Sequence, residues 1–202
     1  MATPTDIVNV ALRRIGANRI SSLTQDSNKE AVAARDLYDE ARRDLLNLCN
    51  WNFAVKRATL TKSATAPAFG YDYAYPLPAD FIRMISVHPH DDDDSIIPYR
   101  LEFQSSDDRV LVTDSNQIYI KYVFDQEDAN LMSAAFRDAL SWRLARDFAG
   151  ALSKSTAAAE LSHNVYMKTL SRAKAIDGIE DYPDKMADGD WVTSRFSDTS
   201  NA

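Results

Sequence analysis

Only one cysteine, Cys49, occurs in the 202-residue chain. An intramolecular disulfide and any multi-cysteine metal site are therefore excluded, and a reducing compartment fits. The five glycines, at positions 16, 70, 150, 178 and 189, stand apart. A phosphate loop and a dinucleotide fingerprint both need clustered glycines so that backbone can approach the ligand closely, so nucleotide-driven chemistry is not expected. The longest apolar run is four residues, Ala31 to Ala34, against the roughly 20 that a membrane-spanning helix requires. No His-Glu-x-x-His, Gly-x-Ser-x-Gly or Asn-x-Ser/Thr pattern is present, so the common zinc-protease and serine-hydrolase signatures are missing, as is a glycosylation acceptor. Met1 to Asp6 lack the basic flank and apolar stretch of a secretory signal, and the cytoplasm is the expected place of synthesis.

What is there is ordinary globular material, 45% hydrophobic and 26% charged. The net charge of −7 disfavours broad binding to a phosphate backbone. That total is unevenly spread. Residues 1–60 carry nine Lys/Arg against seven Asp/Glu, and residues 129–177 carry seven against four. Residues 71–128 carry four against thirteen, and residues 178–202 two against six. A weakly basic part is thus joined to an acidic middle and an acidic tail, as in a molecule with two unlike faces.

Thr3 before Pro4, with Asp6 three residues on, announces a helix over about 4–15, and Gly16 is placed to end it. Asn28 can cap a second helix over about 29–50, with Ala34, Leu37, Tyr38, Ala41, Leu45 and Leu48 as its apolar stripe and Lys29, Arg35, Asp36, Asp39, Glu40, Arg42, Arg43 and Asp44 as a solvated outer face. Strands are expected at Phe81–Val87, Tyr99–Phe103, Arg109–Thr113 and Gln117–Phe124. The last places Ile118, Ile120, Tyr122 and Phe124 on one face, and Asp114-Ser115-Asn116 suits a hairpin turn before it. Helices return over about 132–152 and 156–176. The second is read with Ala158, Leu161, Val165, Thr169, Ala173 and Ile176 toward the core and Gly178 as its stop. The fold class is mainly α with an inserted small antiparallel β-sheet (α+β): residues 1–60 and 129–177 as a helical bundle, 61–128 as the insertion, and 178–202 as an extended C-terminal tail.

Candidate chemistry is sparse. His88-Pro89-His90 followed by Asp91 to Asp94 could attract Ca²⁺ or Mg²⁺, but consecutive residues on a short loop cannot all converge on one ion, so a solvated loop without a metal is expected. Asp107-Asp108 and Glu127-Asp128 are read as loop charges. Cys49 is read as a small buried hydrophobe, and Trp51, Phe136 and Trp142 as core. No catalytic, cofactor or metal residue is assigned. Tyr182, Trp191 and Phe196 differ, because large aromatics in an acidic tail have no local core to join, and they are the candidate anchors for a partner surface.

The order of these elements carries a resemblance. Asp6 to Gly16 read DIVNVALRRIG, followed by Ile20 to Leu23. After the second helix come Trp51-Asn52-Phe53-Ala54, Arg57, Leu60 and Tyr75 to Phe81, then Tyr119 to Val123, with Phe136, Ala139, Leu144 and Ala145 in the next helix. Over residues 1–177 the chain resembles the head-to-tail adaptors of tailed bacteriophages, the tail tubular protein A group. The resemblance implies a virion protein assembled in the host cytoplasm, without cofactor, as a ring of usually twelve copies. It implies docking beneath the portal protein, junction to the tail or nozzle protein, and a channel through which double-stranded DNA passes without specific binding, away from any membrane. Tyr182, Trp191 and Phe196 would then be portal-arm residues. An alternative reading is a virion-associated hydrolase cutting cell-wall polymer through a carboxylate pair, although no such pair can be located. A regulatory DNA-binding protein is disfavoured by the net charge and by the absence of a basic recognition helix.

Overall fold

A computed structural model describes residues 2–91, 95–104, 108–153 and 155–180. Helix α1 spans Pro4–Arg14 and opens with a capping box. Thr3 Oγ1 accepts from the Asp6 N–H at 3.1 Å, and the Asp6 carboxylate accepts from the Thr3 N–H at 2.9 Å. Gly16 follows at φ +70°, where a side chain would be strained. Helix α2 spans Lys29–Asn47, with the Asn28 side chain accepting from the Ala31 N–H at 2.9 Å. Helices α3 (Ala134–Phe148) and α4 (Thr156–Glu180) are joined by a π-helical turn, Ala149–Ser153. Helix α3 is the shared element: α1, α2 and α4 all pack against it. Their core holds Ile7, Val8, Leu12, Tyr38, Leu45, Trp51, Phe136, Leu140, Leu144 and Phe148.

Between α2 and α3 lie six strands in two antiparallel sheets. Sheet 1 has the order β1 (Val55–Leu60), β6 (Ile118–Phe124), β3 (Phe81–His88), and sheet 2 the order β2 (Tyr73–Pro76), β5 (Arg109–Thr113), β4 (Arg100–Phe103). The α+β class stands, with two sheets where one was expected. Asp114 to Asn116 do not close a hairpin; they carry the chain from the centre of sheet 2 to the centre of sheet 1. The reason is burial: β5 and β6 are the most buried strands, and each is flanked by two partners. Strands β1 and β2 were not foreseen. Lys56 and Arg57 mask the alternation of β1, and Pro76 closes β2, an edge strand where its missing N–H does no harm. Strand β1 also brings Lys56 and Arg57 from the stretch 1–60 into the sheets, which softens the charge contrast read from the sequence. Ile118, Ile120 and Tyr122 of β6 join Tyr75, Met84, Val87 and Leu111 in a core between the sheets, whereas Val123 reaches the helical core.

Three corrections concern the helices. Gly178 does not stop α4, which continues to Glu180. Of the stripe expected to face the core only Ala173 is fully buried: Leu161 is 63% exposed and Ile176 39%, while Ser162, Tyr166, Leu170 and Asp177 are buried beside Ala173 instead. Asp177 faces inward because its carboxylate accepts from the Asn52 N–H and its carbonyl from the Asn52 side-chain amide. Arg42 is not on a solvated face either: it is buried, and paired with Asp125.

Tyrosine burial gives the fold an alkaline limit. Burial pushes the phenols of Tyr38 and Tyr122 up to about 12, and for Tyr122 a hydrogen bond to the Asp80 carboxylate adds to the effect. In the unfolded chain both ionise near 10. The stabilisation is complete below pH ~10 and is lost as pH rises through 12, because the unfolded state releases its protons first. The Tyr38 hydroxyl has no hydrogen-bond partner among the described residues. Tyr38→Phe is therefore expected to raise stability at pH 8 by about 1 kcal/mol and by more at pH 11.5. Urea unfolding at the two pH values checks this, and a variant less stable than wild type at both would contradict it.

Candidate functional site

The groups that could have formed a reactive centre are dispersed. His88 is buried beneath sheet 1, with Nδ1 2.7 Å from the Ser95 carbonyl and Nε2 2.7 Å from the Ser86 hydroxyl. Donation from Nδ1 to the carbonyl leaves Nε2 to accept from Ser86, so both nitrogens are engaged within the fold. His90 and Asp91 are exposed, and Asp92 to Asp94 lie outside the described residues. Among the described residues no group of three His, Cys, Asp or Glu side chains could hold a metal ion. Glu127, Asp128 and Asp108 are exposed, and Asp107 lies outside the described residues, so the carboxylate pairs have no buried setting that would raise a catalytic acid. Burial pushes the Cys49 thiol up to about 11, the wrong direction for a nucleophile. Trp51 and Phe136 are core residues in edge-to-face contact, and the Trp51 indole N–H donates to the Leu45 carbonyl at 2.8 Å. Trp142 is half-buried beneath the Arg14 guanidinium, 3.9 Å from the ring centroid. Tyr182, Trp191 and Phe196 lie outside the described residues.

What the geometry does build is a set of joints. Arg42 sends its guanidinium into the seam between α2 and the segment after β6. It pairs with both oxygens of Asp125, donates to the Gln126 carbonyl at 2.9 Å and reaches Asp39 at 3.2 Å, while Arg43 reaches the same Asp125 at 2.8 Å. Asp80 ties β1 to β6 by accepting from Lys56 at 2.7 Å and from the Tyr122 hydroxyl at 3.1 Å. Burial pushes its carboxyl upward, but those two hydrogen bonds outweigh it and hold the group below the ordinary carboxylate range. Asn9 clamps the loop after α1, its amide donating to the Ile20 carbonyl and accepting from the Ile20 N–H. Arg83 donates to Asn50 at 2.5 Å. Helices and sheets are thereby cross-braced. None of these joints is visible as a motif; the one hint was the polar residue inside an otherwise apolar stretch, as at Asn9.

Two of the concave surfaces lie on the sheets. On the outer face of sheet 2, a groove of about 660 Å³ is floored by Ala74, Val110 and Val112 and walled by the 65–71 loop and Phe103, with Phe69 89% and Phe103 69% exposed. On the outer face of sheet 1, Arg57 and Lys121 stand directly opposite one another at the rim of a hollow of about 230 Å³ that also includes His90 and Asp91. Apolar walls on one sheet and cations on the other suit contact with macromolecules better than turnover of a small molecule.

Comparison with known families supplies the coarse class of the protein. A model described as tail tubular protein matches residues 5–176, nearly the whole described fold from α1 to α4. The chain belongs to the tail tubular protein family. It is accordingly a structural component of a phage tail, found in the virion and in association with other virion components. The match takes in nearly all of α1 without its cap Thr3, the Arg42 and Asp80 joints, both sheets and most of α4, and it ends just before Asp177. No curated protein sequence matched the chain. Among the described residues no helix of this tail tubular family member is long and apolar enough to cross a membrane.

Proposed function

We propose that this tail tubular protein is a head-to-tail adaptor: a ring, of twelve copies by resemblance, that docks beneath the portal and joins it to the tail or nozzle protein. The ring continues the DNA channel and serves genome retention and ejection, and the duplex passes through without specific binding. The role is structural and not enzymatic; the hydrolase alternative has no support in the placement of Asp108, Glu127 or Asp128, all of them exposed. The carrying observation is the match to a tail tubular family across a cross-braced fold, in a chain whose charge is divided between a weakly basic helical part and an acidic middle. Unlike faces on one subunit favour head-to-tail contacts between copies, which close into a ring only at a fixed rotation, and a portal can impose that rotation. The anchors on the portal are proposed to be Tyr182, Trp191 and Phe196.

The isolated protein is expected to be largely monomeric and to form a closed ring when portal is added. Assembly should slow at high salt, because the steering charges are exposed and screened beyond roughly 8–10 Å. Sedimentation with and without portal across a salt series tests this. A stable two-fold dimer, indifferent to portal and to salt, would overturn the adaptor reading.

A further inference from the structure

Helix α4 carries two apolar stripes about 100° apart on its circumference. One, centred on Tyr166 and Leu170, is buried against α3. The other runs Ala158, Leu161, Val165, Thr169, Ile176 and Ile179 at helical spacing. This second stripe crosses about six turns; Leu161, Ile176 and Ile179 on it are 63%, 39% and 81% exposed, and Ala158, Val165 and Thr169 between them are half-buried. Single exposed aliphatics are common, but a helical-period row of them is the mark of a covered face. Lys168 and Arg172 stand at the margin and middle of the row, four residues apart, both exposed and neither in an ion pair among the described residues. Like charges at that spacing repel in the isolated helix.

Helix α2 shows the complementary arrangement. Asp36 and Glu40, again four apart, are exposed and have no ion-pair partner among the described residues, next to the exposed Val32. Their neighbours Asp39 and Asp44 are by contrast paired, with Arg42 and Arg143. The spacing of the anionic pair matches that of the cationic pair, and the two lie on different helices of one subunit. We propose that the outer stripe of α4 docks on the outer face of α2 of a second copy, with Lys168 and Arg172 meeting Asp36 and Glu40. Each repulsive pair is relieved by the other, and the apolar row is buried. The contact uses two different faces of one subunit, so it propagates from copy to copy and can close a ring. This surface rests on the proposed assembly into rings and specifies which faces meet.

The test uses the full chain with and without portal, followed by sedimentation velocity. Leu161→Glu with Ile176→Glu should leave the melting temperature unchanged, because both side chains are already exposed, and should weaken association between copies on the order of 100-fold. Lys168→Glu with Arg172→Glu should also abolish assembly, and adding Asp36→Lys with Glu40→Lys should restore it. Rings that form equally well from wild type and all variants would overturn this surface while leaving the adaptor reading intact. Wild-type copies that associate through the stripe but ignore the portal would support the surface and sink the adaptor reading; no association of any kind would overturn both. Should wild type truncated after Glu180 bind a hydrophobic dye that the full-length monomer does not, the stripe is covered by the chain's own C-terminal residues and the proposal fails.

Discussion

Arg42→Ala is expected to lower stability by about 3 kcal/mol or more, which for a chain of this size is a fall in melting temperature of roughly 10 °C. The side chain is 1% exposed and lies across the seam that joins α2 to the segment after β6. Its removal deletes the bidentate pair with Asp125 and the bond to the Gln126 carbonyl, and leaves the mostly buried Asp125 with only the exposed Arg43. An anion kept in that seam without its buried partner costs more than the pair contributes when intact. Arg43→Ala provides the contrast. Arg43 shares the same carboxylate but is 60% exposed, so its loss should cost about 1 kcal/mol or less. The double variant Arg42→Ala with Asp125→Ala should be less destabilised than the sum of the single changes, since it leaves no orphaned charge. Denaturant unfolding of wild type, Arg42→Ala, Arg43→Ala, Asp125→Ala and the double variant measures this, and a loss below about 1 kcal/mol for Arg42→Ala would show that the seam is held by packing alone.

Truncation after Glu180 is expected to abolish portal docking and to leave the fold intact. Among the described residues, every buried residue of the helical core lies at or before Ala173, and Asp177, which is tied to Asn52, is retained. The segment removed, 181–202, holds Tyr182, Trp191 and Phe196 among five acidic residues. Aromatic anchors of this kind commonly cost 2 kcal/mol or more each when truncated, so affinity for portal should fall on the order of 1000-fold or more. The melting temperature should not change. Trp191→Ala and Phe196→Ala separate the anchors from the bulk of the segment. A truncated protein that binds portal as tightly as the full chain would refute the arm assignment.

The parts of the fold that announced themselves were those where a local rule and the tertiary structure agree. Thr3 with Asp6, and Asn28, mark the helix starts because capping is satisfied within four residues of sequence. The alternation in β6 was legible because one face of that strand meets the core between the sheets. The failures have the opposite origin. Strand β1 carries Lys56 and Arg57, and its pairing with β6 is set by a distant chain segment, from Val55 with Val123 to Leu60 with Ile118. The outward turn of α4 was missed because both of its stripes are apolar, and the one that packs on α3 includes Ser162 and Asp177, which no hydropathy pattern would choose. Arg42 reads as surface charge until Asp125 is brought across from another element. For the candidate site, the exposure of His90 and Asp91 was legible from the run of adjacent polar residues. The apolar groove on sheet 2 was not, since it is made by a loop folding over a strand pair.

Imaging of the complex formed when the full chain is mixed with its portal tests the adaptor assignment most directly. The account gives a closed ring, of twelve copies by resemblance, seated beneath the portal on the axis of its channel, with residues beyond Glu180 in contact with the portal. Portal particles that remain bare, or a ring placed elsewhere along the tail with no portal contact, would contradict it.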